Sequence, residues 1–471
     1  NYYPPIDAME LNRQTTLQLE GIGVSIRPER GNEDYTKIET IVEGGPASKS
    51  GQVKSGDRII GVAQDGEKML DVVGWSSGEV ANTIRGKLGT KVTIRLLSSG
   101  ASISQARNVT LVRDVIKQDD ARVRSRTIEV IRDGKKHVFG VVEIPSFYED
   151  YRARNVGMEY YSVSADTANA LKLLKAKNVE GILVDLRNNP GGSLTEVIRM
   201  VGQVIKSGPV VQVRNGQGII DTYYDPDNGK QIYAGPLAVL INLASASASE
   251  IYSAAIQDYE RGIIIGSTTT GKGTAQAQFD SLAHGQATLT QRKFYRVTGG
   301  STQNKGVIPD IKLIDIYNGE FGERKSKNAL KWDTIPTAPF KRQGSVRPYI
   351  TKLTQSSEQR VAVDSQFNYL EARKLIAQKG TDQKQVELDI NQRRAELIDL
   401  EKQSLNVENQ RRVATGQAPY ANWESYQASI DALSESRGKM KASQRPALPE
   451  DETFVTEAAN VLIDYTKLQG R

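Results

Sequence analysis

The sequence predicts a multidomain α/β protein: a small β-rich unit with two helices over residues 17–113, an α/β core over 114–324 and a mainly helical domain over 325–471, after an N-terminal segment of residues 1–16. Three observations predict it. Short alternating segments fill the first unit, strand–turn–helix patterns start at Gly181 and at Pro236, and beyond about residue 325 glycines become scarce while charges crowd together. A chain of 471 residues is long enough for roughly three domains of ordinary size, each with its own buried core.

In the first unit, Leu17-Gln-Leu-Glu-Gly21-Ile-Gly23-Val-Ser-Ile is a strand broken by a tight glycine turn, and Lys91-Val-Thr-Ile-Arg-Leu96 alternates as a half-buried strand does. Between them Gly44-Gly-Pro-Ala-Ser-Lys-Ser-Gly51 starts a short helix, Gly56-Asp-Arg-Ile-Ile-Gly-Val62 a strand and Gly78-Glu-Val-Ala-Asn-Thr-Ile-Arg85 a second helix, which together make a small barrel or sandwich. In the core, Gly181-Ile-Leu-Val-Asp-Leu-Arg187 is apolar enough for a buried strand, and Asn188-Asn-Pro-Gly-Gly192 turns the chain. Leu194, Val197, Ile198, Val201, Val204 and Ile205 then recur at helical spacing. The pattern repeats from Pro236 to Gln257, with Ile251, Tyr252, Ala254 and Ala255 on the buried face, and strands alternating with helices imply a sheet covered by helices. Residues 331–348 read as a linker or extended wrap, and Val386, Ile390, Leu397 and Leu400 keep helical spacing through 382–413.

Composition removes several classes of function. There is no cysteine, which excludes thiolate catalysis, thiolate metal sites and disulfides and suits a protein of an oxidising compartment such as a periplasm. The 62 basic and 56 acidic residues are spread along the chain, so the net charge of +6 marks solvated surface, not a nucleic-acid face. No apolar run approaches the ~20 residues of a membrane span. The start, Asn1-Tyr-Tyr-Pro-Pro5, has neither an initiator Met nor a signal peptide and reads as that of a processed or truncated chain. The two histidines, His137 and His284, sit in polar, turn-rich stretches and read as surface residues. Without cysteines or a histidine cluster, no metal and no cofactor is expected.

The chemistry concentrates in two turns. Ser247 lies in Ala244-Ser-Ala-Ser-Ala-Ser-Glu250 after one apolar strand, and Lys272 in Ser267-Thr-Thr-Thr-Gly-Lys-Gly-Thr274 after the next, Gly262-Ile-Ile-Ile-Gly266. A serine hydroxyl is a poor nucleophile until a base takes its proton, and a lysine serves as that base once its ammonium is desolvated. If the turns converge, the chain is a hydrolase that needs no imidazole. Ser247 at the mouth of a helix leaves the Ala248 N–H to face a developing oxyanion, and Gly191 and Gly192, lacking side chains, offer a second backbone donor. Alternation after Lys272 puts Lys272, Thr274 and Gln276 on one strand face, so that Gln276 orients the amine. Taken singly, the same motifs also fit a small-residue packing turn and a surface cation. Glu250 suits a helix cap at least as well as a catalytic part, Asp185 a structural carboxylate, and Arg187 either a substrate contact or a salt bridge. Asp258 closes the serine helix.

A rival function comes from the same lysine. Gly266-Ser-Thr-Thr-Thr-Gly-Lys272 opens like a Walker A loop after an apolar strand, but Gly273 stands where Mg²⁺ binding needs Ser or Thr, and a strand pattern follows where a helix is required.

Together, Ser245-Ala-Ser-Ala-Ser-Glu-Ile251, Gly271-Lys-Gly-Thr274, Asp185-Leu-Arg-Asn-Asn-Pro-Gly-Gly192, Lys293-Phe-Tyr-Arg-Val-Thr-Gly-Gly-Ser-Thr-Gln303 and Lys305-Gly-Val-Ile-Pro-Asp310 resemble the C-terminal processing peptidase family, in its tail-specific protease branch. The resemblance implies a PDZ-like β-barrel for 17–113, a crotonase-like protease core and a helical C-terminal domain. It further implies a serine endopeptidase in which Ser247 is the nucleophile, Lys272 the base and Gln276 its orienter, located in the periplasm. The PDZ reading makes Gly21-Ile22-Gly23-Val24 a nest of backbone donors for the carboxylate of a nonpolar free C-terminus, with the next strand offering an edge to the peptide. Substrates are then proteins or peptides with free tails, membrane-associated ones among them; an adaptor protein is admitted, nucleic acid is not, and a silent PDZ scaffold that only holds tails is the alternative function. The branch carries a helical region before its PDZ domain, and this chain begins where that region would end.

Overall fold

The computed structural model describes residues 2–4, 18–29, 32–98, 100–117, 121–150, 154, 157, 160–226, 230–279, 282, 284–317, 322–385, 387–438, 440, 446 and 448–470; Leu17 and Val386 fall outside them. A two-residue strand β1 (Tyr2–Tyr3) comes first. The first unit then runs β2 (Gln18–Gly21), β3 (Val24–Glu29), β4 (Asn32–Ile41), α1 (Pro46–Ser50), β5 (Arg58–Gln64), β6 (Leu70–Asp71), α2 (Ser77–Ile84), β7 (Lys91–Leu97), β8 (Arg107–Val112) and β9 (Asp114–Lys117). Strands β3-β4-β5-β7-β8 form an antiparallel sheet in that order, with β6 beside β5, and β2 pairs β9 as a separate ribbon. Alternation works as the sequence predicts: Val92, Ile94 and Leu96 turn inward to meet Ile38, Ile59 and Val62. Helix α2 starts at a capping box, Ser76 N donating to Glu79 Oε2 at 2.9 Å, and buries Val80 and Ile84.

The core runs β10 (Arg124–Arg132), β11 (Lys135–Glu143), α3 (Val163–Ala176), β12 (Gly181–Asp185), α4 (Leu194–Gly202), β13 (Pro209–Asn215), β14 (Ile220–Tyr224), β15 (Leu237–Ile241), α5 (Ala248–Asp258), β16 (Ile263–Gly266), β17 (Thr274–Phe279), β18 (Gln286–Tyr295) and β19 (Ile311–Lys312). Its main sheet has the order β10-β11-β12-β15-β16-β19, parallel except for the β10–β11 hairpin. Helices α3, α4 and α5 cover one face through Val184, Val239 and Ile264, and the opposite face presents Leu183, Leu240 and Ile265. Being covered on both sides, β12 as far as Val184, β15 and β16 are apolar without interruption. A second sheet of β1, β13, β14, β17 and β18, which the sequence pattern did not reveal, stands beside it.

The helical domain consists of α6 (Ile350–Val363), α7 (Ser365–Asp382), α8 (Ile390–Ala414), α9 (Trp423–Gly438) and α10 (Pro449–Leu468). Helix α10 lays Val455, Ala459 and Leu462 on the second face of the main sheet, so the last helix of the chain completes the core. Residues 331–346 run largely extended and are pinned by Trp332 Nε1 on the Ser301 carbonyl at 2.8 Å and by Ile335 N on Gly299 O at 2.9 Å. No helix among the described residues is long and apolar enough to cross a membrane.

Two expectations are corrected. Val204 and Ile205 are buried, yet they lie past the end of α4 at Gly202, in the turn that leads to β13. Ile390, Leu397 and Leu400 lie on one helix, α8, as their spacing predicts, and all three are exposed. His137 is not a surface residue: it is 6% exposed within β11, its Nδ1 2.7 Å from Glu180 Oε2, because pairing with β10 carries a polar stretch into the sheet. His284 is exposed as expected.

Candidate active site

Ser247 closes the turn between β15 and α5, and a neighbouring loop holds that turn. Ser245 Oγ donates to the Leu186 carbonyl at 2.8 Å, Ala246 N to Asn189 O at 3.0 Å and Ser249 Oγ to the same carbonyl at 2.9 Å. Small residues are required here because two loops share hydrogen bonds at backbone distance. Ser247 itself sits at φ 55 and ψ −110, a strained conformation for a residue with a Cβ, and the turn thrusts its side chain out between strand and helix.

Lys272 belongs to the turn after β16, and the two turns meet on Glu250. Its fully buried carboxylate accepts Ser247 N (2.8 Å) and Lys272 N (2.9 Å) on Oε2, and Gly271 N (2.7 Å) and Thr269 Oγ1 (2.5 Å) on Oε1. Thr270 adds its N–H to Ser245 O at 3.0 Å and its hydroxyl to Leu243 O at 2.6 Å. Burial pushes the Glu250 carboxyl up to about 7, against the downward pull of its four donors. Glu250 thus caps α5 and also ties the serine turn to the lysine turn. The Lys272 side chain is half-buried and makes no hydrogen bond or ion pair among the described residues.

The donors around Ser247 differ in availability. Ala248 N, at the start of α5, and Gly192 N make no hydrogen bond among the described residues, whereas Gly191 N is already given to Asn189 Oδ1 at 2.9 Å. Gly191 serves instead as a contact surface: a Cβ there would lie 2.8 Å from Ser247 Cβ and 3.0 Å from Ala248 N. Gly192, at φ 143, lies against Phe147, whose carbonyl would be 2.2 Å from such a Cβ.

Gln276 makes no hydrogen bond with the Lys272 side chain among the described residues. It shares a strand face with Thr274, and its exposed amide donates to Thr274 Oγ1 (3.1 Å) and Thr290 Oγ1 (3.4 Å). Arg187 is a structural residue: its guanidinium is paired with Asp185 at 2.6 Å and lies over the Phe454 ring at 5.2 Å. Asp258 pairs with Arg296. The Walker-like loop fails as a phosphate cradle because Gly271 N and Lys272 N are taken by a carboxylate of the chain itself, and β17 follows, not a helix. Asn189 and Thr269, both fully buried, were not singled out in the sequence because each acts on a loop remote from it.

At the other end, Gly21 closes β2 and Gly23 adopts φ 77. Ile22 N and Gly23 N make no hydrogen bond among the described residues, as a carboxylate nest requires. Val42 N donates to Gly23 O at 2.9 Å, which makes Val24 and Ile41 a non-hydrogen-bonded pair and turns the Val24 N–H and C=O to the open edge of β3. Helix α2 lies alongside β3.

Residues 10–97 match the PDZ domain, 138–313 match peptidase family S41 and 316–467 match the C-terminal domain of tail specific protease. Over 409 residues the chain is 39% identical to a tail-specific protease of Haemophilus influenzae, an alignment covering 84% of this chain and 56% of that protein. It is 27% identical over 342 residues to a carboxy-terminal-processing protease of Bartonella bacilliformis, covering 70% and 71%. A solved photosystem II D1 C-terminal processing protease aligns with a TM-score of 0.39 at 28% identity, covering 67% of this chain and 77% of that one.

Proposed function

The chain belongs to peptidase family S41, and we propose that it is a serine endopeptidase working through Ser247 and Lys272, which selects substrates by their nonpolar free C-termini. One observation carries the reading: the N–H groups of Ser247 and Lys272 share a single carboxylate oxygen, which fixes the nucleophile turn and the base turn to each other. In the first step Lys272 Nζ takes the proton from Ser247 Oγ as that oxygen attacks the scissile carbonyl. The free Ala248 N–H and Gly192 N–H receive the oxyanion. Collapse expels the amine, which takes the proton from Lys272, and water releases the acyl group by the reverse sequence. Gln276 orients the amine after leaving its two threonine contacts, the longer of which is 3.4 Å.

The unpaired donors of Ile22 and Gly23 and the open edge of β3 support capture of a terminal carboxylate with the preceding residues added as a strand. The proposed setting is a periplasm, and an adaptor that brings substrates is compatible with the reading. Hydrolysis of a short chromogenic peptide by the unmodified chain and its loss in Ser247→Ala and in Lys272→Ala test the chemistry. Retained turnover in either variant sinks it, and tail binding without any turnover in the unmodified chain returns the silent scaffold.

A further inference from the structure

The main sheet ends at β19, and its outer edge is open. Leu313 N donates to Gly266 O at 2.8 Å, so Ile311 and Leu313 turn their backbone groups toward β16, and by the alternation of a strand Lys312 and Ile314 turn theirs away. The Ile314 N–H has no hydrogen-bond partner among the described residues. An edge of this kind is a template for another strand unless something covers it. Here it borders a cavity of about 710 Å³, walled on the far side by α6 and α7, a size typical of sites that hold ligands.

The cavity adjoins the two turns. Its lining includes Leu243 and Thr268, which lead into Ser247 and Lys272, at the carboxyl ends of parallel strands where open α/β sheets place their ligands. Leu243 and the lysine turn are joined directly by the Thr270 hydroxyl on the Leu243 carbonyl. Lys312, Lys374, Glu358 and Glu371 line the same space, two charges of each sign, and none of them makes an ion pair or hydrogen bond among the described residues. Free charges of both signs beside free backbone groups suit a polypeptide of no fixed sequence, whose main chain is held while its side chains vary.

The geometry points to this cavity as a substrate subsite, in which an extended, mixed-charge segment of the protein being cleaved pairs with the outward edge of Lys312 and Ile314 between the sheet and α6–α7. It deepens the peptidase reading, on which it rests, by giving long substrates a hold that short peptides lack.

Two variants of the full chain test it. Lys312→Pro removes the outward N–H without touching a bond to β16, and Ala362→Trp fills the cavity from α6. Each is expected to lower kcat/KM on a long unfolded protein at least tenfold and to leave a short chromogenic peptide within about twofold. Unchanged kinetics on the long substrate overturn the subsite. A photoreactive benzoylphenylalanine at Gln378, on the cavity wall, placed in Ser247→Ala gives a readout that needs no turnover. A cross-link to the unfolded substrate supports the subsite. A cross-link to a second copy of this chain, or none, overturns it. Failure of the unmodified chain to cleave the short peptide sinks the Ser-Lys chemistry instead, and the cross-link still decides the subsite.

Discussion

Ser247 and Lys272 present their backbone N–H groups to the same atom, Glu250 Oε2, at 2.8 and 2.9 Å. In the proposed chemistry a nucleophile and its base come from two loops whose relative position must hold to a fraction of an ångström, and one buried carboxylate ties those loops together. On that proposal Glu250, a positioning residue, controls the rate.

Glu250→Gln is expected to lower kcat at least tenfold with little change in KM, because a side-chain NH₂ then faces N–H groups and leaves donors unpaired, at about 1–3 kcal/mol. The acid form of the natural residue has a milder version of the same conflict. With the carboxyl raised to about 7, kcat should fall as pH drops from 8 to 6, since a protonated Glu250 must find room for a fifth donor. Stability moves the other way. A carboxyl whose folded value lies above its unfolded one contributes most below the ordinary carboxylate range and loses that contribution as pH rises through 7. The Tm advantage of the unmodified chain over Glu250→Gln is thus larger at pH 5 than at pH 8, and a constant difference would refute the shift.

Ser247→Ala and Ser247→Gly separate strain from chemistry. Both remove the nucleophile and abolish turnover, but alanine keeps the cost of φ 55 while glycine relieves it. Relief of about 1–3 kcal/mol is partly offset by the ~0.5–1 kcal/mol of extra backbone freedom that glycine loses on folding. The glycine variant should therefore melt at or above the Tm of the alanine variant, as calorimetry can check. A lower Tm would show that the turn is not strained.

How much of this was legible follows from the range of each interaction. The turns at Ser247 and Lys272 stood out because runs of Ser, Ala, Thr and Gly interrupt apolar strands, and the glycine turn at Gly21–Val24 because φ-permissive residues break an alternating pattern. The work of Glu250 was hidden: a carboxylate at that helix position reads as a cap, and three of its four donors come from the turn at 269–272. His137 was misread because the charge of Lys135 and Lys136 conceals a strand paired on both sides. That α10 would close the core was likewise not written locally, since its apolar residues meet strands hundreds of positions earlier.

Gly191→Ala tests the contact between the glycine loop and the nucleophile. The added Cβ would lie 2.8 Å from both Ala246 O and Ser247 Cβ, at a φ of +103 that disfavours any side chain. The serine turn or the loop must move, taking the Ala248 and Gly192 donors out of line, and loss of one oxyanion donor costs about 10²–10³ in kcat. A fall of at least a hundredfold in kcat with a KM within about threefold is expected. Loss of activity through KM alone would place Gly191 in substrate binding, not in the alignment of the nucleophile.

Gly23→Ala addresses capture of the tail. At φ +77 a Cβ is strained, and it would approach Ile116 Cδ1 to 3.3 Å and Gly45 Cα to 3.4 Å, so the peptide planes at 22–24 must rotate and the two free N–H groups diverge. Because the carboxylate is bound by backbone donors, amidation of the substrate tail and Gly23→Ala remove the same interaction. Each alone should raise KM for a tailed substrate about tenfold or more, and the two together should cost little beyond either one, a double-mutant cycle with strong coupling. Short tail-less peptides should be cleaved alike by both proteins. A fall in kcat on tailed substrates, beyond the rise in KM, would mean that tail binding also arranges the Ser247 and Lys272 turns. Additive penalties would place the tail carboxylate somewhere other than Gly23, and equal rates on carboxylate and amide substrates in the unmodified chain would remove tail recognition altogether.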